Sequence, residues 1–421
     1  MKLIKALVVM LVAVGMILPA VAVAEDRLSL SGEMRVRGWY DKADWDDADF
    51  KESKTYADQR LRIAGKLSVA EGVSITFRTD ITEQEWGAGS GDFGQNARSG
   101  ANQQWDRAHI DLTKGDWSFR VGQQFFGTGT VWAFDSQDPG VTVNYKGAVP
   151  VKAFFVLDNQ NNDPNSIDGA DSDAMEYGLQ VSPKGDDWKA SAFVVGQKQK
   201  RNHDEEVYLI GVNGGTSLGP VNLTGEVDFF TGDANATDDA MGTQVFLDAS
   251  MAATEAITIG GQFYYAAGDD KDTQYTILGN GFNGWDPIFD VGTSLSNEQM
   301  DLGDSMVCDA LKSEGGSCGT VFDFTGQSAG VVGGRLYASM KAGPGTFGAS
   351  AAYLAVEEDK NVDADGMFYA AGYVLPVMEN TTLQFQLQYT DVNIDDLGSS
   401  FDNADTDFTD FQAGTGLFVK F

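Results

Sequence analysis

The chain has 421 residues, 62 of them acidic and 29 basic, for a formal net charge of −33. It lacks the basic footprint that nucleic-acid binding needs, which excludes nucleic acid as a partner. With 42% hydrophobic residues it is not a disordered tail, and its 50 Gly, 9 Pro and 11% aromatics suit many strands joined by turns.

Residues 1–24 read as a secretory signal peptide. Lys2 and Lys5 precede an apolar run from Ala6 to Leu18, and the small-residue site Ala22-Val23-Ala24 sets cleavage before Glu25. The run is too short for an anchor, and beyond Leu18 nothing approaches the ~18 consecutive apolar residues of a spanning helix. From there on the sequence alternates at period two. "SLSGEMRVRGWY" sets Leu30, Gly32, Met34, Val36 and Gly38 against Glu33, Arg35 and Arg37. "VSITFRTDI" sets Val73, Ile75, Phe77 and Ile81 against Thr76, Arg78 and Asp80. Residues 221–229, 245–251, 257–265 and 332–341 repeat the pattern, and "TLQFQLQY" repeats it with Gln384, Gln386 and Gln388 on the polar face. Each is a strand with one wet face. Residues 189–198 and 207–212 alternate poorly and read as strands that face a subunit neighbour instead of lipid. The chain closes on "GLFVKF", alternating up to the carboxylate with only Phe418 out of step.

Eight tight connections ("VAEGV", "TKGDW", "KGAVP", "SPKGDDW", "SLGPV", "ATEAI", "AGPGT", "LPVMEN") alternate with longer ones rich in Asp, Asn and Gly. The longer ones include 41–54, 87–103, 126–140, 159–173, 269–328 and 391–407. This rhythm predicts about 18 strands, with 16 as the other even count, and all short turns at one end. That is the pattern of an all-β, antiparallel, up-and-down transmembrane barrel over residues 25–421. Closure is required, because an open edge in lipid leaves backbone groups unpaired. Trp39, Tyr40, Trp86, Trp117, Phe125, Trp188 and Tyr389 sit near strand ends, where interfacial girdles belong.

With the signal peptide, the hairpin rhythm and a last strand ending in Leu417, Val419 and Phe421, the sequence resembles the Gram-negative outer-membrane porins. It is similar to the larger, substrate-selective and alginate-export types. The resemblance implies a passive diffusion channel in the outer membrane, with lipid, lipopolysaccharide and small solutes as partners. Leu417, Val419 and Phe421 look like the signal read by the barrel-assembly machinery. The assembly, homotrimer or monomer, stays open. In porins the third loop folds into the barrel, which makes 126–140 the constriction loop. This segment carries Trp132 and Phe134 and only two acids, Asp135 and Asp138.

The residues give no reason to expect an enzyme. His109 and His203 are the only histidines, and no H-E-x-x-H, G-x-S-x-G, Walker A or paired C-x-x-C occurs. "NVDADG" (361–366) imitates a calcium loop, but its twelfth position is Gly372 where a bidentate Glu is required. The expectation is therefore no cofactor and no dedicated metal, only adventitious divalent cations at acidic outer loops. Cys308 and Cys318, in an exported chain, point to one disulfide stapling an outer lobe within 269–328.

The candidate pathway is a strip of arginines. Arg35, Arg37, Arg60, Arg62, Arg78, Arg107 and Arg120 all fall on the lumen-facing side of the first five strands. A guanidinium stays charged and holds carboxylate or phosphate bidentately. Glu33, Asp58, Asp80, Asp111 and the aspartates of 126–140 offer these arginines structural partners as well. Two rivals to a general channel are a substrate-specific sugar or organic-acid channel, and a structural barrel: an adhesin-like surface protein or a sheath around a partner protein.

Overall fold

In the computed structural model, the described residues are 27–45, 51–86, 104–159, 174–199, 205–234, 238–268, 278–279, 286–295, 330–357, 363–396 and 406–421. The period-two segments form one antiparallel sheet. Its strands are β1 (Leu28–Trp45), β2 (Lys51–Ala70), β3 (Val73–Glu85), β4 (Gln104–Lys114), β5 (Trp117–Gly127) and β6 (Phe134–Tyr145). They continue as β7 (Val151–Asn159), β8 (Ala174–Val181), β9 (Trp188–Gln199), β10 (Glu205–Leu218), β11 (Val221–Asp233), β12 (Asp239–Ala252) and β13 (Ile257–Ala266). After a two-residue β14 (Leu278–Gly279) come β15 (Val331–Ala342), β16 (Gly345–Val356), β17 (Asp363–Met378), β18 (Thr381–Asp396) and β19 (Thr406–Lys420). Eighteen strands close the barrel. β13 pairs directly with β15, so β14 stands outside the ring. β1 completes the circle by pairing with β2 on one side and β19 on the other. No edge is left for lipid to meet.

Large apolar side chains point outward. Leu336 is 72% exposed, Ile210 50%, Phe229 51% and Leu387 52%. Their neighbours in the strands, such as Arg335, Asp228 and Gln386, are buried inside. Apolar outside and polar inside is the pattern of a barrel standing in a membrane. Trp117 lies tilted against Tyr145 with 4.9 Å between ring centroids, and Trp188 is also exposed, so both flank the short-turn end. Trp39 departs from the expected girdle: it is buried in the lumen, and its Nε1 donates to Asp58 Oδ2 at 3.0 Å. The tight turns are built as hairpins require. Gly72 (φ 71°) and Asn380 (φ 57°) take the left-handed conformation that such connections demand.

The terminal strand ends in a backbone pair. Gly32 N–H donates to Phe421 O at 2.8 Å, and Phe421 N–H donates to Gly32 O at 3.0 Å. The Phe421 ring lies over Gly32, where any Cβ would strike it. Deleting Phe421 removes two hydrogen bonds and a half-exposed ring, about 2–3 kcal/mol at the seam. The expected result is less heat-resistant barrel in outer-membrane fractions. Unchanged yield and heat-modifiability would discount the terminal residue.

The poorly alternating strands have an internal cause. The inner faces of β9 and β10 are apolar, with Phe193, Val195, Val207 and Leu209 fully or almost fully buried. They pack with Phe134, Phe154 and Leu278 in one lumenal cluster. Both faces of these strands therefore carry apolar residues, and no subunit neighbour is needed to explain them. Phe418, out of step in the sequence, is likewise turned inward and packs with Trp39 and Leu295.

Candidate functional site: a lumen entered by two segments beside an arginine wall

The region 126–140 is mostly strand. β5 runs through Gly127 and β6 resumes at Phe134, pairing Gly127 with Asp135 and Gln123 with Pro139. Its turn-like composition yields to pairing along the ladder. Only residues 128–133 leave the sheet, and they reach across the lumen. Trp132 stacks on Phe246 of β12 (4.4 Å between ring centroids) and on Tyr264 of β13 (5.4 Å). Thr130 N–H donates to Glu226 Oε2 of β11 at 2.5 Å. Lys152 of β7 donates to the carbonyl of Gly127 at the base of the turn. Val131 has φ 62°, a left-handed conformation that a β-branched residue tolerates only under constraint. Phe134 stacks on Phe154 at 5.2 Å, and Asp138 accepts from Ser136 Oγ at 2.7 Å. Asp135 is paired in the ladder with both Gly127 and Gly279.

The second segment belongs to the long connection 269–328, which the sequence suggested as an outer lobe. Its described parts lie inside instead. Leu278 N–H donates to Ala133 O at 2.9 Å, and β14 pairs in parallel with Phe134 and Asp135. Residues 286–295, opening with a single 3-10 turn, run along the inner wall of β15–β19. The Ser350 hydroxyl donates to Ile288 O at 3.0 Å, and Gln386 Nε2 to Phe289 O at 3.3 Å. Ser294 N–H donates to Gln384 Oε1 at 2.6 Å, and Arg335 donates to Asp290 O. Gly348 and Gly372 make room for the strap: a Cβ at either would run into Val291. Ile288, Phe289, Val291 and Leu295 are buried. Cys308 and Cys318, like the signal segment, lie outside the described residues.

The arginines face the lumen from β1–β5, the arc between the anchorages of the two segments. Arg37 Nε donates to Asp58 Oδ1 at 2.8 Å, with its guanidinium 5.5 Å from the Trp39 ring centre. Arg35 is 3% exposed and stands opposite Arg60 in the ladder. Arg60 Nη2 is 3.5 Å from Glu33 Oε1. Arg62 grips Asp80 with two bonds, at 2.6 and 2.7 Å. Arg78 Nε donates to Asp106 Oδ2 at 2.5 Å, and Arg62 Nη2 is 3.5 Å from the same oxygen. Arg120 Nε donates to Asp111 Oδ1 at 2.7 Å. His109, buried, has Nδ1 3.1 Å from Gln123 O and Nε2 3.4 Å from Asp111 Oδ2. Arg107 stands opposite Arg78.

Sequence reasoning missed Asp106, because strict alternation turns either Asp106 or Arg107 inward, not both. A one-residue bulge does both: Arg78 pairs with Arg107, but Thr79 pairs with Trp105. Trp105 and Ala108, on either side, are exposed. It also missed Glu226, Lys152 and the inward course of 286–295. For the last, the apolar residues Ile288, Phe289, Val291 and Leu295 within an acidic connection were the available signal.

A closed barrel, apolar outside, polar within and narrowed by inserted segments, has the fold of the Gram-negative outer-membrane porins. Among solved structures it is similar to OccAB4 of Acinetobacter baumannii (TM-score 0.56, 11% identity, covering 94% of this chain and 100% of that one). It is also similar to Pseudomonas aeruginosa OpdK, solved with vanillate (TM-score 0.54, 10% identity, 93% and 99% covered), and to OpdQ of the same organism (0.53, 9%, 93% and 98%). No protein-family model and no curated protein matches the chain.

Proposed function

We propose that the chain is a passive diffusion channel of the outer membrane for small hydrophilic solutes, with a weak preference for anions. The observation that carries this reading is the arginine wall of β1–β5, set between two segments that enter the lumen. A transverse field in a narrowed aqueous passage acts at close range and in reduced dielectric. No energy source or cofactor is needed, and divalent cations would meet only the acidic outer loops. Lipopolysaccharide and the barrel-assembly machinery are the partners such a channel requires.

A substrate-selective channel is the second reading, favoured by the lumen being entered from two connections that touch each other at Leu278 and Ala133. A sheath would need a bore wide enough for a protein, which these insertions oppose. Liposome swelling with sugars of graded size tests the proposal. Swelling that slows with solute size is expected of a general channel, and swelling for one solute class alone moves the protein to the second reading. No swelling with the smallest sugar overturns both.

A further inference from the structure

Beyond the channel reading, and independently of what the channel carries, we infer that Asp41 and Asp410 form a calcium site that sutures the seam between β1 and β19. The two carboxylates belong to the first and last strands of the ring, near the outer end of each. In the ladder Asp41 stands opposite Gln412, and Asp410 lies two residues further along the same inward face. Asp41 is 3% exposed, Asp410 6% and Gln412 3%, so all three are shut away from bulk solvent. The two carboxyls are close enough to share a hydrogen bond. Among the described residues, no lysine, arginine or histidine nitrogen lies within 4.0 Å of either one. Like charges that meet across a strand pair repel, and a buried carboxylate without a counterion is costly. A positive charge has to sit between them, as a shared proton or as a metal ion. The neighbouring amide favours the metal. Gln412 Nε2 donates to Asp410 Oδ2 at 2.9 Å, which places the amide in the cluster, yet its Oε1 is buried without a donor. Asp41 Oδ1 and Asp410 Oδ1 are left over in the same way. A shared proton bridges two of these three oxygens, whereas a hard cation takes them all. Two carboxylates and an amide carbonyl make an all-oxygen set that suits calcium, whose flexible coordination by about 6–8 oxygens leaves room for water ligands. Asp41 is the first aspartate of one acidic run at the outer rim and Asp410 the last of the other, and such charge draws divalent cations there. The expectation of divalent cations at the acidic outer loops thereby gains a built site where those loops meet the barrel.

The test uses the purified full-length mature protein, refolded in zwitterionic detergent free of lipopolysaccharide so that calcium has no lipid to bind. Gel mobility is followed against temperature, with calcium chloride added or with EGTA. The wild type should convert to its heat-modified form at a higher temperature in calcium than in EGTA. Half the effect should come at about 0.1–1 mM, the range of extracellular calcium sites. Magnesium, which demands near-ideal octahedral geometry, should do less at the same concentration. Asp410→Asn should need about tenfold more calcium for the same effect, the loss of one charged ligand. Replacing one of two facing carboxylates also relieves their repulsion, so this variant should fold. A wild type indifferent to calcium overturns the inference and leaves the pair to a shared proton. Equal protection of wild type and Asp410→Asn overturns it too, because the ion then meets only exposed acids. Should Asp410→Asn fail to fold, Asp41→Asn on the other strand carries the test with the same two outcomes. Bilayer conductance of the same preparations reports on the channel reading separately.

Discussion

Trp132→Ala will widen the channel, raising single-channel conductance and the size of sugar admitted in swelling assays. The turn at 128–133 crosses the lumen against a strained Val131, whose left-handed backbone costs about 1–3 kcal/mol. Two of its contacts with the far wall bear on this. The Trp132 stack on Phe246 and Tyr264 is the larger, since truncating a packed Trp costs about 3–5 kcal/mol. The other is the bond from Thr130 N–H to the Glu226 carboxylate, worth about 1.5–3 kcal/mol. With Trp132 removed, that bond and the strain are of similar size, so the turn should sample a released position and the current should turn noisy. Adding Glu226→Ala, which removes the acceptor that a glutamine would keep, should free the tip from β11. Both changes alter side chains and leave the backbone ladder of the ring in place, so heat-modifiability should be kept. A wild-type conductance in Trp132→Ala would show that the turn does not limit the passage.

Arg62→Glu with Arg78→Glu will convert the selectivity from weakly anionic to cationic at ordinary salt. Both arginines share Asp106, and Arg62 also holds Asp80, so the change leaves these carboxylates among further negative charge. In the wild type only a weak preference is expected, because Glu33, Asp58, Asp80, Asp106 and Asp111 offset much of the strip. The outer ends of β1, β18 and β19 and the connections beyond them pull the other way: "YDKADWDDADF" holds five aspartates, and residues 391–410 hold seven. At ~0.15 M salt the Debye length is about 8 Å, so those distant charges are damped and the wall decides. At ~0.01 M it grows to about 30 Å, and the wild type should drift toward cations. Reversal potentials at both salt levels check this. A double variant that keeps the wild-type value at high salt makes the strip a structural feature.

The barrel was legible because lipid imposes one rule on every outward residue. Leu30, Met34 and Val36 must meet hydrocarbon while Arg35 and Arg37 meet the lumen, and that rule prints period two into the chain. The lumen imposes no such uniform rule. Where the inserted segments press on the wall, its residues become apolar, which is why Phe193 and Val207 broke the pattern and why Trp39 passed for a girdle residue. A bulge is invisible to any fixed period, so Asp106 was lost while Arg107 was kept. The course of 286–295 depends on recesses at Gly348 and Gly372, far away in sequence, which the connection itself does not reveal.

The resting place of Leu295 bears on the order of assembly. Its pocket is formed by Trp39 of β1 and Phe418 of β19, the first and last strands of the ring, with Gly416 at its floor. Those two side chains become neighbours only when β1 and β19 zip together. The berth of Leu295 is therefore complete only once the seam has closed, and its side chain then lies as a clasp over the finished seam. Leu295 should slow the seam's reopening, because its contact with both closing strands exists only in the closed ring.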